Sequence, residues 1–517
     1  MNSASPAQML SPARSIAATH SPATRPTTAH PSYMRLSQVD ADHRLNRRNG
    51  EEDSGWCSPE EDGVSTGYES VGSVGIRDLR MVDRYCLLET EDGSRLVEPA
   101  TSRDHAEIHQ LLLAVFQGPS RREFGSQNEH PLYEPSDRLV IRERGRLVAH
   151  IHPQYRRIVF ADQSLMVGNL DALCTLPEYR GRGYAHQLML GAEEQLQAAG
   201  AAMAMVCTDQ PAFFREMGYA PCGRHCFSSA SPRDILAQLE LVRPKYRRWE
   251  QPPPSLNIRL WRQTELGSLM RIYNDNTAEG FGATQRDEDH WRWLINRQAF
   301  DQIYVAIDGP DRLDLEHRNS PIVGYAVVRR GQIVELMTSP LHDQSAAQLV
   351  RRVCADAIER DQLRVTAHAP PGHPIHQLIE DAGGRHFAAE TVGSRTWMAK
   401  VFDPLEFLRR QRHNVAARVK ATKRNLPIEF GMLLDGQPLT VSVTRRTVKV
   451  SSGGNLSDRL ELDSPTLTQM LLGHASPSEL SDRGQLAYVT DETLEIAEAV
   501  FPKLPFWQPV FDTIRGS

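Results

Sequence analysis

The stretch NLDALCTLPEYRGRGYAHQLMLGAEEQLQAAG, Asn169–Gly200, decides how the chain is read. Leu170, Leu173 and Cys174 end a run that starts at Ser164 and reads as a strand. Pro177 turns the chain, and Leu188, Ala192, Leu196 and Ala199 then recur at helical spacing up to Gly200, a C-terminal stop. Between strand and helix stands Arg180-Gly181-Arg182-Gly183-Tyr184-Ala185, of the form Arg/Gln-x-x-Gly-x-Gly/Ala. Glycines let backbone approach a pyrophosphate closely, and the free N–H groups of a first helical turn, with the helix dipole, favour its charge. Arg180 and Arg182 add countercharge. Taken alone, the same residues also read as a Gly-rich turn with solvated arginines.

Working outward, the neighbours supply the rest of an α/β unit over 94–232. Leu96-Val97 is a short strand, and Thr101–Asp104 starts a helix with Ile108, Leu111, Leu112 and Phe116 on one face. Arg138 to Ile151 alternates apolar and polar residues around Arg144-Gly145, the mark of a hairpin. After the central helix, Ala201–Thr208 is a continuous apolar run expected of a buried strand, and Ala212–Met217 is a short helix ending at Gly218-Tyr219. Strand, helix, meander, loop, helix and strand predict a mixed sheet flanked by helices. The order repeats over 254–402, with strands at Leu256–Leu260, Ile303–Ile307 and Ile322–Val328 and a helix after Pro340. The last segment, 403–517, differs: alternating Ile428, Phe430, Leu439, Val441, Val443, Val448 and Val450 read as antiparallel strands, and Ser464-Pro465 starts a helix. It reads as a small α+β domain.

A chain of 517 residues exceeds one ordinary core and fits about three domains. Its net charge of −6 gives no general reason to expect nucleic acid or an anionic membrane as partner. The seven cysteines are scattered and odd in number, which points to reduced thiols in a cytoplasmic setting. The close pair Cys222 and Cys226 lacks a matching second half, so no metal is expected. No stretch of about 18 apolar residues is present to span a membrane. Residues 1–80, rich in Ser, Ala and Pro, read either as a disordered leader or as sequence upstream of a true start at Met81. Arg409, Arg410, Arg412, Arg418, Lys420, Lys423 and Arg424 form a basic segment without interleaved aromatics, which reads as a solvated face.

The loop, its strand and helix, and the trailing Phe213-Phe214-Arg-Glu-Met-Gly218-Tyr219 together resemble the GNAT acetyltransferases. From about residue 95 onward the chain is similar to one subgroup, the enhanced intracellular survival family, which joins an active GNAT domain, a degenerate one and a sterol-carrier-like domain. The resemblance implies acetyl-CoA as cosubstrate, a primary amine as acceptor (an aminoglycoside-like molecule, a polyamine or a lysine side chain), and a homo-oligomer, hexameric in the family. Carried over by position, Leu173, Cys174 and Thr175 flank the pantetheine arm and Arg180, Gly181, Arg182, Gly183, Tyr184, Ala185 and His186 hold the pyrophosphate. Asp209 and Gln210 line the thioester end, where the following strand splays away. Placing Pro340 on Pro177 puts Asp343 where Arg180 stands and Ala346 where Gly183 stands, so the second copy is expected to bind no CoA.

The resemblance is weakest at the chemistry. Family members use a Tyr near the start of the motif ending in Gly-Tyr, where this chain has Phe214, and related enzymes use their C-terminal carboxylate as base, whereas here Phe511 is followed by six further residues. Asp171 and Asp209 are the substitute bases, both also readable as structural carboxylates. Tyr219 has a hydroxyl in a position that usually packs in the core. In the second copy His290, Trp291 and Trp293 line either an acceptor pocket or a core. The missing Tyr leaves a second function open, a non-catalytic sensor or carrier of acyl-CoA or lipid.

Overall fold

A computed structural model describes residues 97–242, 255–311, 321–342, 344–422, 426–444, 446–453 and 457–513. The leader and Met81, together with Asp343, Lys423 and Arg424, lie outside the described residues. The first elements are β1 (Val97–Pro99), α1 (His105–Phe116), α2 (Arg121–Asn128), β2 (Leu139–Glu143), β3 (Arg146–Phe160) and β4 (Gln163–Thr175). They are followed by α3 (Tyr184–Ala198), β5 (Met203–Thr208), α4 (Pro211–Glu216), β6 (Ala220–Pro221) and β7 (His225–Ala230).

The β2–β3 hairpin turns at Arg144 and Gly145, whose φ values of 52° and 81° are the left-handed pair a two-residue hairpin turn requires. Strand β3 runs nine residues past the expected end at Ile151, straight through Pro153. Pairing with β2 stops at Ile151, and the next partner on that side begins at Ile158, so Pro153 lies on an open edge where its missing N–H costs no ladder bond. Helix α3 lays Leu188, Ala192 and Leu196, all fully buried, on the sheet. Burial of each leucine contributes about 1.5–3 kcal/mol. Beneath it Gly168 on β4 leaves room for Leu196, whose side chain lies 2.3 Å from where a Cβ would stand.

The middle of the chain adds α5 (Pro232–Leu241), β8 (Asn257–Leu260), α6 (Leu266–Thr277), β9 (Phe281–Thr284), α7 (Glu288–Asn296), β10 (Gln302–Ile307), β11 (Ile322–Arg329) and β12 (Gln332–Thr338). Then come α8 (Gln344–Glu359), β13 (Val365–His368), α9 (Pro374–Asp381), β14 (Arg385–Ala389), β15 (Thr391–Val392) and β16 (Arg395–Val401). The first sheet runs β1-β2-β3-β4-β5-β16-β15, with β9 on β3 and β6 on β16; the second runs β14-β7-β13-β12-β11-β10-β8.

The sheets do not respect the linear limits of 94–232 and 254–402. Strand β7 crosses into the second sheet between β13 and β14, while β16 returns to the first sheet beside β5, and β9 joins it through β3. Each half thus lends the other half's sheet an interior strand, paired on both sides. Alternation alone does not show this exchange, because a strand's pattern gives its faces and not its neighbour.

A third sheet, of β17 (Ile428–Leu434), β18 (Gln437–Val443), β19 (Val448–Ser452), β20 (Arg459–Leu462) and β21 (Ala487–Tyr488), belongs to the C-terminal segment. Its core is continuous with the outer face of the first sheet: Phe160, Val167, Met203 and Val401 share one apolar cluster with Phe430, Leu467 and Phe501. The opposite face of the first sheet packs on α1 and α3. No described helix is long and apolar enough to cross a membrane.

Candidate functional site

Strands β4 and β5 pair in parallel from Val167↔Met203 to Leu170↔Val206 and then part, although β4 continues to Thr175 and β5 to Thr208. The splay expected after the loop is therefore present. On the other side of β4 the register with β3 shifts between His150 and His152, and Ala172 takes a φ of 55°. This bulge lets the Ala172 carbonyl meet Nδ1 of His150 at 3.0 Å, and two residues of β4 oppose one of β3.

Beyond β4, Gly181 and Gly183 have φ values of 77° and 80°, and a Cβ at either would meet no atom within 4 Å. The glycines serve the left-handed backbone, and the space above them is open. Gly183 is the N-cap of α3, with no side chain capping the helix and no acid in its first turn. The amides of this 15-residue helix thus point outward unopposed. Arg180 is exposed and donates from Nε to the Thr175 carbonyl at 3.3 Å. Arg182 is already engaged: Nη1 donates to both oxygens of Glu143, at 3.1 and 3.0 Å, and the Tyr184 hydroxyl donates to the same carboxylate at 2.6 Å. These contacts, Tyr184 first, hold the Glu143 carboxyl below its ordinary value.

Facing the end of β4 is a cavity of about 960 Å³ between the two sheets. Strand β3 contributes His152, Gln154 and Arg156, β4 contributes Asn169 and Asp171, and β5 contributes Met205 and Cys207. The second sheet supplies Cys226, Arg329 and His368, and the C-terminal tail crosses the cavity at Trp507, Gln508 and Asp512. Under its floor Arg286 bonds both Glu335, at 2.9 and 2.5 Å, and Asp512, at 3.2 and 2.8 Å, and His290 bonds Asp512 at 2.9 Å. Burial pushes the Asp512 carboxyl up, but Arg286 and His290 outweigh it and hold the group below the usual range.

The sequence candidates divide between these places. Asp171 lines the cavity, accepting from the Ala172 amide at 2.9 Å and from Gln154 Nε2 at 3.5 Å. Leu173, Cys174 and Thr175 close β4, and burial pushes the Cys174 thiol up to about 12. His186 is exposed on the first turn of α3 beside half-buried Ala185. Asp209 and Gln210 are exposed past the end of β5, outside the cavity wall. Tyr219 is 1% exposed and packs edge to face on Phe214, also buried, with neither on the cavity wall. Burial raises the Tyr219 phenol. Of the aromatic trio in the second half only Trp293 reaches the cavity; Trp291 is core and His290 serves Asp512.

Sequence reasoning passed over the histidines of the wall, among them His130 and His152. Burial, then neighbouring cations, lowers both, so they stand neutral at pH 7. Imidazoles at 150 and 152 inside an apolar strand were the available signal. It also passed over a Cys226, His376 and His386 cluster whose ligand atoms lie within 4.8 Å of one another. Hydrogen bonds occupy it: the Ser228 hydroxyl meets Nδ1 of His376 at 2.8 Å and of His386 at 2.9 Å, and Nε2 of His376 faces the carbonyls of Ala369 and Pro370.

Residues 97–222 match the model of the GNAT acetyltransferase domain. This part of the chain is a GNAT domain. Residues 436–509 match the sterol carrier protein domain. A search of curated proteins gave no match. Among solved structures, a probable N-acyltransferase of unknown function from Enterococcus faecalis V583 is similar over 79% of this chain and 97% of its own, with a TM-score of 0.61 and 15% identity. A GCN5-related N-acetyltransferase from Kribbella flavida covers 81% and is itself covered to 99%, with TM-score 0.61 and 15% identity. Eis1 from Mycobacterium abscessus gives 80% and 98%, with TM-score 0.55 and 15% identity. At such identity the likeness is one of fold, and at 79–81% of the chain it extends beyond the GNAT domain alone.

Proposed function

We propose that the protein transfers an acetyl group from acetyl-CoA to a primary amine bound in the cavity between the sheets. The observation that carries this reading is the opening of that cavity at the β4/β5 splay, with an uncapped α3 and its two left-handed glycines just past the C-terminal end of the same strand. A pyrophosphate on α3 directs the pantetheine arm along Leu173–Thr175 toward Asp171. Asp171 takes one proton from the ammonium, the freed amine attacks the thioester carbonyl, and the C–S bond breaks. The proton lost from the attacking nitrogen ends on the CoA sulfur. With Phe214 and Tyr219 both in the core, no tyrosine of that motif takes part. Glu335 beneath the cavity and Asp512 on its wall are committed to Arg286 and serve as support.

The test is CoA release from acetyl-CoA against a panel of amines, beside Arg180→Asp and Gly183→Asp variants. Amine-dependent release that both variants lower at least tenfold supports the enzyme. Tight acetyl-CoA binding with no release for any amine overturns it and favours an acyl-CoA sensor, the reading that buried Phe214 supports.

A further inference from the structure

Two arginines on the cavity wall have no carboxylate partner. Arg156, 7% exposed, donates to the side-chain oxygen of Gln154 at 3.1 Å, and Arg297, 9% exposed, donates to the Phe511 carbonyl, leaving its Nε without a partner within the protein. Neither forms an ion pair among the described residues, and each repels the other, with Arg329 beside them. No acid of the wall forms an ion pair with Arg156 or Arg297 among the described residues. Glu123 accepts from the Ser120 amide, Asp137 from the Glu134 amide, Asp171 from the Ala172 amide, and Asp512 from Arg286 and His290. The histidines of the wall, His130, His152, His225 and His368, all held below the ordinary value by burial first, are neutral. In the buried layer the guanidiniums of Arg156, Arg286 and Arg297 feel the carboxylates of Glu335 and Asp512, and Arg156 also that of Asp171, but only Arg286 is bonded to one. A guanidinium cannot shed its proton to escape burial, so two of them buried without a bonded carboxylate call for an anion from outside.

Position says where that anion sits relative to the chemistry. His152, Gln154 and Arg156 alternate onto the cavity face of β3, and Gln154 links the two ends, donating toward Asp171 and accepting from Arg156. We infer that Arg156 and Arg297 form an oxyanion subsite and that the acceptor is a small amine carrying a carboxylate or phosphate, its nitrogen at Asp171 and its oxyanion one glutamine side chain away. The inference rests on the acetyl-transfer reading for the amine end only. A polycation such as a polyamine places charge against these arginines and is disfavoured.

The experiment uses matched ligands on the full chain. Rates of CoA release are compared for 6-aminohexanoate and O-phosphoethanolamine against 6-aminohexanamide and spermidine. At least one oxyanion-bearing amine is expected to exceed both charge-deleted and polycationic amines tenfold in kcat/KM, through KM, and the stronger of the two identifies carboxylate or phosphate as the source. Equal or better turnover of the amide or spermidine overturns the subsite. Binding is followed separately through Trp293 and Trp507, which line the cavity. Tighter binding of 6-aminohexanoate than of its amide sustains the subsite even if no amine is acetylated, and equal binding overturns it. In Arg156→Met and Arg297→Met the melting temperature of the free protein is expected to hold or rise, because an unpaired buried charge is removed, while the preference for the acid disappears. If both Met variants fail to fold, Arg156→Lys, which keeps the charge, decides: a retained preference for the acid sustains the subsite, and equal rates for acid and amide assign the arginines to structure and overturn the inference.

Discussion

Glu143 ties down two residues of the phosphate loop at once, the guanidinium of Arg182 and the hydroxyl of Tyr184. A dianionic pyrophosphate arriving at α3 meets this carboxylate as a like charge and must share Arg182 with it. Glu143→Gln removes the repulsion and frees the guanidinium, so the dissociation constant for acetyl-CoA is expected to fall about two- to fivefold, within the range of exposed charge interactions. Isothermal titration at low and high salt reads it, and the gain shrinks as salt rises. Weaker binding in the variant would mean that Glu143 holds the loop in shape. Asp171 answers to a different measurement. As the base on the splayed end of β4, its change to Asn is expected to lower kcat about 100-fold and leave acetyl-CoA affinity unchanged. Steady-state kinetics beside direct titration separates the two, and matched losses in both would assign Asp171 to folding of the bulge at Ala172.

Strand β4 and helix α3 meet through a single missing side chain. Gly168 has room for no Cβ because Leu196 fills the space, its Cγ at 2.9 Å from the site a methyl would take. Gly168→Ala overpacks this contact and is expected to destabilise the protein by about 1–3 kcal/mol, visible as a lower denaturant midpoint with unchanged slope. Since α3 carries the uncapped amides, its displacement also weakens acetyl-CoA binding; a variant as stable as the parent would show that Leu196 has another rotamer available. The loop and this helix were legible in the sequence because a Gly-rich junction and a helical stripe are local signals. Strand β3 past Ile151 was not, as Pro153 masks it and only the open edge between β2 and β9 makes it tolerable. The exchange of β7 and β16 between sheets was beyond reach for the same reason that any pairing of distant strands is: faces are written along the chain, neighbours are not.

At the scale of the whole molecule the candidate site was half legible, its cofactor side from the loop and its acceptor side hardly at all, because Arg156, Arg297, His130 and His152 come from separate elements that only the paired sheets bring together. The same assembly buries titratable groups, and this has a consequence for stability. Burial, followed by the charge of Arg138, lowers His150 from 6.5 to about 3. Burial likewise takes His368 and His373, on the second half, down to about 4. In each case the native state refuses a proton that the unfolded chain accepts once pH drops below 6.5, so the unfolded state binds more protons and stability falls as pH falls. The full contribution is present above pH 6.5. For His150, fully buried, the loss is about 1.4 kcal/mol for each pH unit between 6.5 and the folded value. Asp512 and its arginine add a separate loss only lower, as pH falls below the ordinary carboxylate range toward the depressed folded value. Denaturant midpoints taken from pH 7.5 to 4.5 should therefore begin to drop near pH 6.5, two units above where carboxylates start to titrate. His150→Asn, which retains a polar group toward the Ala172 carbonyl, should flatten the upper part of that drop. A midpoint constant down to pH 5 in the parent protein would show that these histidines take up protons in the folded state after all, through openings of the cavity that let water reach β3.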